Sequence, residues 1–162
     1  MELKNILIGF LLVTSIGSGA NTLKDIVETN DRINRLSYIA DVSDEWLTPN
    51  EMLNNGGGDC EDFAISKYWD LRFKGFKSED LLISYVNVQD IPQPHMVLIV
   101  NFKGDQFVLD NVSKLVLKQS ERPDLKIVYQ FNEDYIYSKG ANAGSANVIK
   151  RWSHIVNTVN TN

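Results

Sequence analysis

The apolar positions change period midway along the chain. Between residues 22 and 40, Leu23, Ile26, Val27, Ile33, Leu36 and Ile39 recur mostly three or four apart, with Asp, Glu and Arg between them. That is the stripe of an amphipathic helix. Thr48-Pro49-Asn50-Glu51 is a capping box with proline at the first helical position, and it predicts a short helix through Met52 and Leu53 that Gly56-Gly57-Gly58 ends. A third helix is predicted from Cys60 to about Phe73, stopped by Gly75. At about 100° per residue, Cys60, Phe63, Ala64, Lys67 and Leu71 share one of its faces. Ile65, Tyr68 and Trp69 make other faces apolar too, so this helix is expected to be central.

Beyond Gly75 the pattern turns β-rich. Residues 81–88, 95–102, 107–110 and 127–131 read as strands, with Lys103-Gly104-Asp105 as a turn. A last amphipathic helix, about 146–159, carries Val148, Ile149, Trp152, Ile155 and Val156. Residues 138–145, Ser-Lys-Gly-Ala-Asn-Ala-Gly-Ser, read as a mobile loop. Helices first and a mostly antiparallel sheet after them predict an α+β domain. The 162 residues suffice for one such domain, with no internal repeat and no long linker.

The first twenty residues read differently. A weakly basic start is followed by an apolar run at residues 6–16, too short to span a bilayer comfortably, and by Ser18-Gly19-Ala20. The expectation is a signal peptide at 1–20, cleaved after Ala20, and an exported domain at 21–162; an uncleaved anchor is the alternative. One cysteine permits no intramolecular disulfide, and an unpaired thiol in an oxidising compartment is unusual. The net charge of −5 argues against a nucleic-acid partner.

That single cysteine sits in Gly58-Asp59-Cys60-Glu61-Asp62, at the predicted start of a helix. The helix N-terminus favours a thiolate, whereas three neighbouring carboxylates oppose it. A bound cation is the simplest offset, because Lys67 lies two turns away, roughly 10 Å along the helix. The bland alternatives are a buried structural thiol and acids that merely complement the helix dipole. Of the two histidines, His154 reads as surface or packing on the last helix, which leaves His95, at the start of a strand, as the candidate base. Asp110 and Asn111 end the next strand. If Phe102 faces Phe107, Asp110 pairs with Ile99 and lies roughly 13 Å along the strand from His95. A turn about two residues wider, or a bulge, is then expected to close the gap; otherwise Asn111 or a backbone carbonyl orients His95.

A helix-borne cysteine facing a strand-borne histidine, with an acid on the neighbouring strand, is the papain and transglutaminase layout. Trp46-Leu47-Thr48-Pro49-Asn50-Glu51, Gly58-Asp59-Cys60-Glu61-Asp62-Phe63-Ala64, His95-Met96-Val97-Leu98 and Leu109-Asp110-Asn111 occur in order over roughly residues 30–155. Together they resemble the bacterial transglutaminase-like cysteine proteinases, which include the LapG-type periplasmic proteases. The resemblance implies a papain/transglutaminase-like fold and a Cys60–His95–Asp110 triad. It also implies Ca2+-dependent proteolysis, with Asp59 and Glu61 as ligands and Asp62 a further candidate. The implied substrate is a large repeat adhesin, cut near its N-terminus to control biofilm attachment. The implied regulator is the periplasmic domain of an inner-membrane cyclic-di-GMP receptor. The Cys60 backbone amide would donate to the oxyanion. Gly58 would let substrate backbone approach, and Trp46 is a pocket wall, an indole donor or core. Two rivals stay open: a transglutaminase or amidase using the same thioester, and a non-catalytic, calcium-gated peptide-binding module.

Overall fold

The structure, a computed structural model, describes residues 20–41, 43 and 45–161. The expected leader lies outside these residues except for Ala20. Helix α1 (Leu23–Ile33) starts on a capping box between Thr22 and Asp25. It stops well short of residue 40. The Ser37 and Ile39 amides instead donate to the Gly56 and Gly58 carbonyls, and β1 (Ser37–Tyr38) pairs in parallel with β2 (Gly57–Gly58). Ile39 is exposed, so its place on the helical stripe was coincidental. Between β1 and β2, helix α2 (Pro49–Asn55) follows the Thr48–Glu51 capping box and ends on Gly56 in the left-handed conformation. Helix α3 (Cys60–Phe73) has the predicted bounds and is buried on nearly every side.

Seven strands follow: β3 (Leu81–Val88), β4 (Pro94–Phe102), β5 (Asp105–Leu109), β6 (Leu117–Lys118), β7 (Leu125–Phe131), β8 (Tyr135–Ser138) and β9 (Ala141–Ser145). They form one antiparallel sheet in the order β6-β5-β4-β3-β7-β8-β9, and α4 (Lys150–Thr161) closes the fold. Ile83, Met96, Leu98, Val100, Leu109 and Phe131 pack against α3 and Trp152 in the main core. Val86, Val97, Ile99 and Val108 alternate with them and form a smaller cluster on the opposite face. To reach β7 from β6, residues 119–120 pass beside the start of β5, and residues 122–124 then reach the sheet end where β3 and β5 finish, with the Gln89 amide donating to Asp124.

Three expectations are corrected. Residues 138–145 are no loop: β8 and β9 form an edge hairpin around Lys139 and Gly140, both at positive φ. Such a two-residue turn matches the right-handed twist of the strands it joins. The last helix begins at Lys150, after a single 3-10 turn at Ala146–Val148. The register of β4 against β5 also differs. Lys103 and Gly104, both at positive φ, make a two-residue turn, so Phe102 faces Asp105, Val100 faces Phe107 and Leu98 faces Leu109. Asp110, the next residue, therefore comes level with Val97, two positions from His95 rather than four. A narrower turn closes the gap; a wider one would have opened it.

Candidate active site

His95 and Asp110 meet at the sheet end where β4 starts and β5 finishes. His95 Nε2 lies 2.9 Å from Asp110 Oδ1. An ionised carboxylate only accepts, so Nε2 carries the hydrogen and Nδ1 keeps the lone pair of the neutral ring. The Asp110 side chain is 1% exposed. Its Oδ1 also accepts the Val112 amide at 2.9 Å, and its Oδ2 accepts Arg122 Nη1 at 3.0 Å. Burial by itself would raise the Asp110 pKa. The hydrogen bond and charge of His95, the Val112 amide and Arg122 outweigh burial and bring it down to about 2. Asp110, rather than Asn111, is the group that holds His95.

Cys60 is the first residue of α3, and its sulfur accepts the backbone amide of Met96, the residue after His95. The helix start and the β4 start are thus joined at the nucleophile candidate. The thiol donates to Glu61 Oε2 at 3.1 Å. Burial first, then the charge and hydrogen bond of Glu61, then Asp59, push its pKa far above that of a free thiol. As described, this sulfur is held protonated.

The three acids divide into two roles. Asp62 Oδ1 accepts the Leu47 amide at 2.7 Å and Oδ2 accepts the Asp59 amide at 3.2 Å. Both its oxygens are therefore committed to backbone, tying the segment before α2 to the start of α3; burial raises its pKa to about 6 despite those bonds. Asp59 is different. Burial, then the charge and hydrogen bond of Glu61, then Asp41, raise its pKa to about 7, and its Oδ1 is buried with no hydrogen-bond partner. Among the described residues no three His, Cys, Asp or Glu side chains stand together as a ready-made metal cage. Yet two carboxylates pressed against each other, one with an orphaned buried oxygen, are hard donors of the kind that suits calcium.

Gly58 is buried, and a Cβ there would fall 2.3 Å from Asp62 Oδ2. Its lack of a side chain makes room for that carboxylate. Trp46 stacks on Phe131, with centroids 5.8 Å apart, and also lines a cavity of about 570 Å³ with Glu61, Tyr85, Pro94, Met96, Tyr129 and Arg151. It is both core and pocket wall, and the cavity is lined by the chain neighbours of Cys60 and His95, namely Glu61, Pro94 and Met96. His154 is exposed on α4, where it lines a second cavity with Trp46, Leu47, Glu51 and Arg151.

Two residues near Asp110 were not expected there from the sequence. Arg122 reaches Asp110 from the connection between β6 and β7. Nothing local in Glu121-Arg122-Pro123-Asp124 announces that contact. Lys67 lies on the predicted face of α3 but is completely buried; its Nζ has no hydrogen-bond partner. Burial drives its pKa down to about 7 against the opposing pull of Asp110.

The family model of the bacterial transglutaminase-like cysteine proteinases (BTLCP) matches residues 13–137. Among solved structures, Legionella pneumophila LapG is 33% identical, with a TM-score of 0.76, covering 83% of this chain and 76% of that one. Its calcium-bound form is 33% identical with a TM-score of 0.76, over 84% of this chain and 79% of that one. Its EGTA-treated form is 32% identical with a TM-score of 0.77, over 83% and 77%. No curated protein matches the sequence.

Proposed function

The chain belongs to the bacterial transglutaminase-like cysteine proteinase family and is a cysteine peptidase; on that premise we propose a calcium-dependent endopeptidase with Cys60 as nucleophile, His95 as base and Asp110 as the acid that orients it. The observation that carries the roles is the 2.9 Å contact of His95 Nε2 with Asp110, together with the Cys60 sulfur on the amide of the very next residue. His95 Nδ1 takes the Cys60 proton, and the sulfur attacks the scissile carbonyl. The tetrahedral oxyanion is met by the Cys60 amide at the first turn of α3. His95 returns the proton to the leaving amine, which departs to leave a thioester. His95 then deprotonates a water that hydrolyses the thioester. Asp110 keeps the ring in one tautomer throughout.

Asp59 and Glu61 are the residues we assign to calcium; Asp62 is committed to its two amides. The bound ion would supply positive charge that offsets the carboxylates beside the sulfur. Support comes from the orphaned Asp59 oxygen and from the calcium-bound structure of LapG. The proposed substrate is a large repeat adhesin cut near its N-terminus, with consequences for biofilm attachment. The proposed regulator is an inner-membrane cyclic-di-GMP receptor acting through its periplasmic domain. The proposed location is the periplasm, with residues 21–162 as the mature domain. These finer readings rest on the likeness to LapG-type proteases. Family membership favours water over an amine as acceptor and a catalyst over a binding module.

The test is an N-terminal adhesin fragment incubated with wild-type protein or Cys60→Ala, in calcium or in EGTA. Cleavage is expected only from wild type in calcium. Cleavage by Cys60→Ala would remove the nucleophile, and undiminished cleavage in EGTA would remove the metal.

A further inference from the structure

The carboxylate that orients His95 is itself held from outside the sheet, and we propose that Arg122 is a positioning residue for the reaction, acting through Asp110. The inference rests on the roles just given to Cys60, His95 and Asp110.

The geometry divides the labour between the two Asp110 oxygens. Oδ1 serves His95 Nε2 and the Val112 amide; Oδ2 serves Arg122 Nη1 at 3.0 Å. Rotating the carboxylate about its Cβ–Cγ bond would break all three contacts. The guanidinium is fixed in turn. Its Nε and Nη2 grip both oxygens of Asp124 at 2.8–3.3 Å, leaving Nη1 aimed at Asp110. The backbone beneath is bonded as well: Arg122 donates to Gln119, Leu125 donates to Arg122, and Gln89 at the end of β3 donates to Asp124. The bond from Gln89 anchors this part of the segment where β3 finishes, so its arginine arrives beside the triad although it is remote from Cys60 and His95 in sequence.

The charge matters as much as the geometry. A carboxylate buried to 1% exposure needs a cation within reach. His95 cannot serve steadily, because its charge comes and goes as it accepts and returns the proton. Arg122, 13% exposed at its side chain, stays protonated at any working pH. Lysine is a poor substitute, because one ammonium cannot span Asp110 and Asp124 as the planar fork does.

The readout is the rate at which iodoacetamide alkylates Cys60 in calcium near neutral pH, since it reports the activated thiol without requiring a known substrate. His95→Ala is expected to slow it by roughly 100-fold, and Arg122→Gln by roughly tenfold. Arg122→Lys should fall between wild type and Arg122→Gln. The decisive comparison is made in the Asp110→Asn background, where Arg122→Gln should add less than about a twofold loss. The same loss in both backgrounds would mean a merely structural arginine, and an unchanged rate in Arg122→Gln would overturn the inference outright. If His95→Ala itself alkylates at the wild-type rate, the triad reading fails first. Should Arg122→Gln not fold, Asp124→Asn, which frees the guanidinium's other edge, is read in the same two backgrounds by the same criteria.

Discussion

The Cys60 thiol donates a hydrogen bond to Glu61, the residue directly after it, across 3.1 Å. A carboxylate that is proposed to hold calcium thus adds to burial in keeping the nucleophile protonated. Metal binding and the thiol's hydrogen bond would compete for one side chain, which would make the proposed calcium dependence a property of the local charge rather than of a distant conformational change.

Glu61→Gln should therefore separate the two effects. With the carboxylate gone, the calcium needed for half-maximal activity should rise, because one hard ligand is lost. In EGTA, the thiol of the variant should alkylate faster than that of wild type, by roughly tenfold for each pKa unit released. Calcium titrations of activity and iodoacetamide rates in chelator check the two halves. An unaltered calcium midpoint would exclude Glu61 as a ligand.

Asp59 leads to a prediction about stability and pH. Its carboxyl ionises at about 7 and that of Asp62 at about 6, both above the ordinary 3.8. Between about pH 4 and pH 7 the folded state consequently holds more protons than the unfolded chain. The sign follows: stability from these two groups is greatest below that window and falls as pH rises through it. Calcium should remove the part due to Asp59 and leave the part due to Asp62. Urea midpoints at pH 4.5, 5.5 and 7, in EGTA and in calcium, measure this. Asp59→Asn in EGTA should flatten the curve much as calcium flattens wild type, and a curve steepened by Asp59→Asn would contradict the assignment.

Much of this site could be read from local signals. The Thr48–Glu51 capping box, the start of α3 at Cys60 and its stop near Gly75 depend on neighbours a few residues apart, and all appear where the sequence puts them. The order Cys60, His95, Asp110 was legible as well. The register that brings the last two together was not, because it hangs on whether Lys103-Gly104 adopts a two-residue turn, and one choice or the other slides Asp110 by two positions. Arg122 was invisible for a deeper reason. Its contact depends on where a connection passes after β6, and no periodicity encodes that path. The Ala-Asn-Ala-Gly-Ser of β9 has weak strand propensity; it is a strand because β8 offers an unpaired edge and Lys139-Gly140 turns the chain back onto it.

Gly58 gives a prediction in which sterics decide. A methyl group there would sit 2.3 Å from one Asp62 oxygen and 2.6 Å from its Cβ. Asp62 cannot yield without losing the Leu47 and Asp59 amides, so Gly58→Ala should destabilise the fold by about 2–4 kcal/mol. Gly56→Ala has open space around its Cβ but a φ of +77°, so its cost should be smaller, about 1 kcal/mol. Urea denaturation of the two variants checks the order. A milder effect at Gly58 than at Gly56 would mean that Asp62 is free to move.

Lys67 makes the opposite kind of case, a buried group whose removal should help the fold. It is wholly enclosed in α3, its Nζ makes no hydrogen bond, and burial lowers its pKa to about 7 from the ordinary 10.5. From about pH 7 to 10.5 the unfolded chain therefore binds more protons than the folded one, and stability rises with pH across that window. Below about pH 7 the full cost of an enclosed ammonium is present. Lys67→Met keeps the unbranched stem and removes the charge, so it should stabilise the protein by about 1–3 kcal/mol at pH 6 and by less at pH 9. Urea midpoints at the two pH values decide it. A loss of stability at pH 6 would show that the attraction to Asp110 outweighs the desolvation of the amine. Lys67 would then act as a second countercharge to Asp110 beside Arg122.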